Sequence, residues 1–219
     1  MDQILLHETD RKSLKEDTMA FISLKPGALL APVPAVLIGS GAKRPEGIRQ
    51  NIMTAAWVGT VCTHPPMFSA AIRPERFSYE LIRESGEFTI NLTTRAMLRA
   101  TDYCGVVSGR DRNKWEETGL TPVSAENMTY APAVAESPLY LGCKVREMLP
   151  LGSHTLFIGE AVSMGVDENL MDQKGALHLE RAQLIAYNHG QYTGLTEAIG
   201  FFGYSVASEA ALKRRRQRR

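Results

Sequence analysis

The stretch that most limits how this chain can fold is residues 51–72, Asn-Ile-Met-Thr-Ala-Ala-Trp-Val-Gly-Thr-Val-Cys-Thr-His-Pro-Pro-Met-Phe-Ser-Ala-Ala-Ile. Two apolar runs rich in small residues flank the corner Thr63-His64-Pro65-Pro66. Proline fixes φ and removes a backbone donor, so strand pairing is expected to stop at that corner. The outline is strand, turn, strand. Within it, Thr54-Ala55-Ala56 and Ser69-Ala70-Ala71 put small side chains where a core strand usually carries Val, Leu or Ile. Small residues allow close strand packing, or let backbone N–H and C=O groups come within hydrogen-bonding range of a flat ligand.

A chain of 219 residues with 44% hydrophobic content can bury a sizeable core. One domain over residues 1–212 is expected, followed by a basic tail, 213–219, that reads as solvated and disordered. The tail holds six of the 25 cationic residues, leaving 19 against 24 acidic ones in the body, a net charge of −5. That balance argues against a nucleic-acid-binding body and leaves at most a non-specific role for the tail. The apolar run 28–38 is short and broken by Pro32 and Pro34, so no membrane span is expected. No basic segment leads into an apolar stretch at the start, and three cysteines without CxxC spacing suit free thiols. A cytoplasmic location is the expectation.

Along the chain, residues 35–38 read as a strand, 42–49 as a polar loop, and 51–57 and 67–72 as the two strands of the opening stretch. Ser78 is placed to cap a helix that stops at Gly86, and 87–92 alternates as a half-buried strand should. Residues 95–104 suggest a helix ended by Gly105, and 113–118 a short one ended by Gly119. Residues 139–148 and 155–167 are long β-type runs joined by a turn at 150–153. Residues 178–187 fit helix or strand equally, and the glycine and aromatic mixture after Gly190 suits a loop packed against something. The sum is a mainly β fold with α decoration, a small antiparallel barrel rather than a doubly wound parallel sheet.

Familiar catalytic signatures are absent from the sequence. Gly39-Ser40-Gly41 has Arg44 where a dinucleotide fingerprint needs its third glycine. There is no phosphate-loop Gly-Lys-Ser/Thr, no HExxH, no paired cysteine ligands and no Gly-x-Ser-x-Gly elbow. Two basic positions stand out instead. Arg76 and Ser78 lie at an expected helix start, where free N–H groups favour an anion, although a turn arginine is also commonly just solvated. Ser108-Gly109-Arg110, with Lys114, forms a second cationic loop, or else a surface cluster paired through Asp111.

Five segments in order carry a resemblance: the small-residue strands, Arg76-Phe77-Ser78-Tyr79, Glu87-Phe88-Thr89-Ile90-Asn91-Leu92, the loop from Ser108 to Lys114, and Gly152-Ser153-His154-Thr155-Leu156-Phe157-Ile158-Gly159-Glu160. Over residues 30–206 the chain resembles the flavin reductase-like family, the FMN-binding split barrels that include flavoredoxin. The resemblance implies a homodimeric split β-barrel that holds FMN near the subunit interface. It implies that Thr54, Ala55, Ala56 and Trp57 line the isoalloxazine, with Asn51 and Ala71 of the same stretch, and that Asn91 and Leu92 contribute nearby. Arg76 and Ser78, and the loop bearing Ser108, Gly109, Arg110 and Lys114, would meet the phosphate. In that loop Asp111-Arg112-Asn113-Lys114-Trp115 replaces the family's Asp-Val-Asp-Lys-Phe. Cys104 falls in an Asp-Tyr-Cys-Gly segment, as a catalytic thiol or a small buried neighbour of the cofactor.

His154 is the catalytic candidate, at a Gly-Asp-His position where this chain has Ser153 in place of the aspartate. The implied activity is an oxidoreductase in which NADH or NADPH delivers hydride to FMN, with electrons passed to a small-molecule or protein acceptor. The alternative is a non-enzymatic FMN electron carrier of flavoredoxin type.

Overall fold

The computed structural model describes residues 21–208. Residues 1–20 and the basic tail 213–219 lie outside the described residues. Residues 30–196 form one compact unit, and 21–29 with 197–208 belong to a second. In the latter, the one regular piece is a 3-10 turn at Tyr204–Val206, with the Phe201 and Tyr204 rings edge to face at 6.3 Å.

In residues 30–196 the strands are β1 (Val33–Pro34), β2 (Val36–Arg44), β3 (Gly47–Ala55), β4 (Val58–Thr63), β5 (Pro66–Ile72), β6 (Glu87–Leu92), β7 (Pro122–Val123), β8 (Ala133–Val134), β9 (Leu139–Pro150), β10 (Thr155–Val166), β11 (Ile185–Asn188) and β12 (Gln191–Gly194). The helices are α1 (Phe77–Ser85), α2 (Leu98–Val106) and α3 (Lys114–Thr118). Seven strands make one antiparallel sheet in the order β3-β2-β6-β9-β10-β5-β4. Its two end strands, β3 and β4, are consecutive in sequence and joined through Ala56 and Trp57. The architecture is the split β-barrel that the resemblance implied.

The strands divide their side chains cleanly between two faces, as a period of two requires. Val36 and Ile38 of β2, Met53 and Ala55 of β3, Phe88 and Ile90 of β6 and Phe157 of β10 fill the inner core, which Ile82 of α1 also joins. Leu37 and Ile52, one residue out of phase, face outward into a second cluster with Met97, Cys104 and Leu120. α2 and α3 therefore sit on the outer face of β2 and β3.

Four local expectations change. Residues 42–49 are not a loop: β2 and β3 continue as a hairpin to the pair Arg44↔Gly47, with Gly47 at φ 126 closing the Pro45-Glu46 turn. Arg44 and Arg49 of this ribbon reach back to the body, Arg44 to Glu80 and Glu84 and Arg49 to the Gly109 carbonyl. The run before the proline corner is two strands, β3 and β4, broken at Ala56-Trp57; the corner itself is the tip of the β4–β5 hairpin, Thr63↔Pro66. Arg76, not Ser78, is the N-cap of α1, and Ser78 lies buried inside the first turn. α2 runs through Gly105, whose missing side chain lets the helix lie against β3: a Cβ there would come 3.3 Å from Thr54 Cβ.

The largest correction concerns β6. Its alternation suits a half-buried strand, but all of Glu87 to Asn91 is buried. Glu87, Thr89 and Asn91 point at the segment 129–134 and satisfy its backbone. The Glu87 carboxylate accepts from the N–H groups of Thr129, Tyr130 and Ala131, Thr89 Oγ1 donates to Pro132 O at 2.6 Å, and Asn91 Oδ1 accepts from Val134 N at 2.9 Å. Gly39 and Gly41 of β2 lie beneath the same segment, and a Cβ at either would meet a carbonyl oxygen at 2.1 or 2.2 Å. Buried polar groups are tolerated when they are hydrogen-bonded.

Candidate functional site

Two adjoining cavities open beside the β3–β4 break, and Met53, Arg73, Arg76 and Val106 line both. The first, about 350 Å³, lies between α1, α2 and the 107–109 loop. Its polar wall is built from β3 and α1. Asn51 Nδ2 donates to Ser78 Oγ at 2.9 Å, and Ser40 Oγ lies 2.9 Å from the same hydroxyl. Gly109 lies flush against Asn51: a Cβ on it would sit 1.9 Å from Asn51 Oδ1, so only glycine allows this approach. Arg49 Nη2 holds the loop by donating to Gly109 O at 3.1 Å.

Lys114 closes the floor of this cavity at 4% exposure. Its Nζ donates to the carbonyls of Ile52 and Cys104, both at 2.9 Å. Burial pushes its pKa down to about 8. Cys104, also buried in the wall, is pushed up to about 11 by burial, which keeps it a neutral thiol and excludes it as an activated nucleophile.

The second cavity, about 410 Å³, is a slot of different character. Thr54, Ala55 and Ala56 at the end of β3 and Ala71 of β5 supply small side chains and strand backbone. Thr54 Oγ1 donates to Thr101 O, which ties this wall to α2. Trp57, 46% exposed, stands at one flank with its ring 4.5 Å from that of His154. Tyr187 and Tyr192 stand in the other wall, edge to face at 5.6 Å across the β11–β12 pair. Burial and the nearby Asp102 carboxylate push Tyr192 up to about 12.

His154 emerges from the β9–β10 turn, where Leu151 N donates to its carbonyl at 2.7 Å. Its pKa is lowered, first by partial burial and then by Arg73, so the ring is neutral at pH 7. Ser153 Oγ lies 2.9 Å from Nδ1. With that hydroxyl donating, the ring proton sits on Nε2. Arg76, between the cavities, donates from Nη1 to Gly105 O at 3.2 Å, and Arg73 pairs with Glu75 at 3.1 Å.

The cleft therefore gathers Asn51, Arg76, Ser78, Cys104, Ser108, Gly109 and Lys114 at one end. Thr54, Ala55, Ala56, Trp57, Ala71 and His154 line the other. Three expected residues lie elsewhere. Asn91 is fully buried among its own hydrogen bonds, and Leu92 packs on the inner core. Arg110 pairs with Glu80 at 2.7 Å and lies over the Phe77 ring at 5.2 Å, outside both cavities. Sequence reasoning missed Arg73, Tyr187 and Tyr192. The tyrosines face each other only because β11 and β12 pair, a register invisible from residues 178–194 alone.

Comparison with known proteins decides the family: a profile of the flavin reductase like domain matches residues 29–196. The chain belongs to the flavin reductase-like family. Flavoredoxin of Desulfovibrio vulgaris (Miyazaki F) superposes with a TM-score of 0.75 at 32% identity, covering 83% of this chain and 97% of that one. Flavoredoxin from Methanosarcina acetivorans gives 0.77 at 25% identity, over 86% and 100%. The reductase component of the FADH(2)-dependent resorcinol hydroxylase of Rhizobium sp. (strain MTP-10005) is 27% identical over 124 residues, 55% of this chain and 64% of that protein. Flavin reductase-like proteins thus include both flavoredoxins and reductase components, and the cleft described above lies within the matched residues.

Proposed function

We propose that this protein is an FMN-dependent oxidoreductase that passes hydride from NADH or NADPH through the flavin to a small-molecule or protein acceptor. The observation that carries the reading is the division of one cleft into a buried polar end with a lysine and a slot with small-residue walls. These residues fit FMN. Lys114, Asn51, Ser78 and the Gly109 loop suit the phosphate, with Arg76 at the junction. Thr54, Ala55, Ala56 and Ala71 suit a flat ring whose edges need backbone partners.

When bound, FMN supplies the two-electron chemistry, accepting hydride from a nicotinamide and handing electrons onward. The chain's own part is to hold and orient. Trp57 and His154 form one wall of the slot, and a neutral His154 offers a hydrogen bond without adding charge.

Apolar side chains exposed at the β3–β4 break and on β4, Trp57 at 46% and Val61 at 51%, favour a homodimer that covers them. The similarity to a reductase component favours an oxygenase as one class of partner. No helix among the described residues is long and apolar enough to cross a membrane. Cys62, Cys104 and Cys143 are free thiols, which favours a reducing, cytoplasmic setting.

A second reading, a non-enzymatic electron carrier, is favoured by the 32% identity to a flavoredoxin over nearly its whole length. The visible absorption spectrum of the purified protein, taken before and after NADH or NADPH, tests both. A colourless protein with no fluorescence change on FMN titration removes the two together. Bound FMN with no steady-state NAD(P)H oxidation, whatever acceptor is added, leaves the carrier.

A further inference from the structure

Lys114 is a buried cation without an anion. Its two acceptors are the neutral carbonyls of Ile52 and Cys104, and among the described residues no carboxylate pairs with it. An ammonium has three donors, so one remains for the cavity that Lys114 lines. Buried charges are normally paired or given up as neutral forms.

The charged and titratable groups around it give no relief. Arg76, ahead of α1, disfavours its charge, and the Cys104 thiol on α2 stays neutral up to about 11. Arg73 and Glu75 in the same cavity neutralise each other at 3.1 Å. Arg49 of β3 turns to the Gly109 carbonyl. On α3 itself Glu116 and Glu117 are exposed, and Glu117 is taken by Arg112 and Tyr103.

We propose that Lys114 is the proton-linked counter-ion of the flavin phosphate: where the amine is neutral in the free protein the phosphate enters together with a proton taken up by it, and the resulting charge pair selects phosphorylated flavin over riboflavin. The inference rests on the flavin reading of the cleft. The sign follows from linkage. In the free protein the amine is charged below about pH 8, so binding there takes up no proton. Above that value the free amine is neutral, the phosphate restores its charge, and affinity falls as pH rises until the amine of the complex titrates as well. Phosphate's own second ionisation, near pH 6, is complete before this window opens. Riboflavin shares the ring and lacks the phosphate, so ring ionisation cancels in the comparison.

The experiment is a titration of the purified protein with FMN and, separately, with riboflavin from pH 7 to 9.5, with calorimetry at pH 9 in two buffers of different ionisation enthalpy. Between pH 7 and pH 9 the FMN Kd should rise about tenfold relative to that of riboflavin, a full pH unit of linkage. Uptake should approach one proton per FMN at pH 9. Lys114→Met, which keeps the stem and removes the charge, should flatten the FMN-to-riboflavin ratio across the range. FMN and riboflavin affinities that change in parallel, or an FMN uptake of no protons at pH 9, overturn the proposal. Should the methionine variant fail to fold, the wild-type arms decide alone. Absence of any flavin binding at pH 7 instead removes the flavin reading itself.

Discussion

Asn91 separates what the family resemblance implies from what the fold requires. The resemblance puts it beside the cofactor; in the structure its side chain is fully buried and committed elsewhere. Nδ2 donates to Leu37 O and to Thr89 Oγ1, and Oδ1 accepts from Val134 N, each at 2.9 Å. Asn91→Ala removes all of these and strands the Val134 N–H in a site closed to water. At about 1 kcal/mol net for each of the two donated hydrogen bonds, and 1–3 kcal/mol for the stranded buried donor, the loss is about 3–5 kcal/mol. For a domain of this size each kcal/mol lowers Tm by about 2–4 °C, so a fall of roughly 6–20 °C is expected.

Thermal unfolding followed by circular dichroism reads that number. FMN titration at a temperature where both proteins are folded reads the other role, and Kd should stay within about twofold of wild type, because Asn91 lines neither cavity. A variant with unchanged Tm and an FMN Kd weakened by tenfold or more would refute the reasoning and return Asn91 to the cofactor.

Arg76→Ala should weaken FMN binding by about 1.5–3 kcal/mol if the guanidinium meets the phosphate, and an unchanged Kd in fluorescence titration removes it from the site. His154→Ala should lower turnover with NADPH or NADH more than it weakens FMN; equal losses in kcat and FMN affinity would mark His154 as structural. His178 gives a pH test away from the cleft. Its pKa is raised, chiefly by Glu180 at Nδ1 and then by Asp172 at Nε2. A raised folded pKa stabilises fully below the unfolded value, near 6.5, and the contribution is lost as pH rises through the folded value. Amide protection factors in residues 172–181 should therefore fall as pH rises above 6.5 in the wild type and stay level in His178→Gln; level profiles in both would dismiss the pairing.

The parts of this molecule that could be read in advance share a physical cause: their signal is local. Gly86 and Gly119 at φ 69 and 72 end α1 and α3 where the sequence said they would, because a left-handed residue after a helix favours glycine whatever surrounds it. The long β9 and β10 runs carry their own β-type pattern. What could not be read depends on a partner distant in sequence. Alternation in β6 means only that its two faces differ, and water is one of two environments that suit Glu87, Thr89 and Asn91; a crossing backbone with unsatisfied N–H groups is the other.

The same ambiguity governs the opening stretch. Ala55 packs in the inner core and also lines the slot, so close strand packing and exposure to a flat ligand are not alternatives. The break at Ala56-Trp57 lets one strand do both. Upstream of it β3 pairs with β2 as far as Ala55, and beyond it β4 turns away to pair with β5, while Thr54 to Ala56 at the break line a cavity. Small residues at that break serve the barrel and the site through one backbone geometry, which is why composition alone could not choose between them.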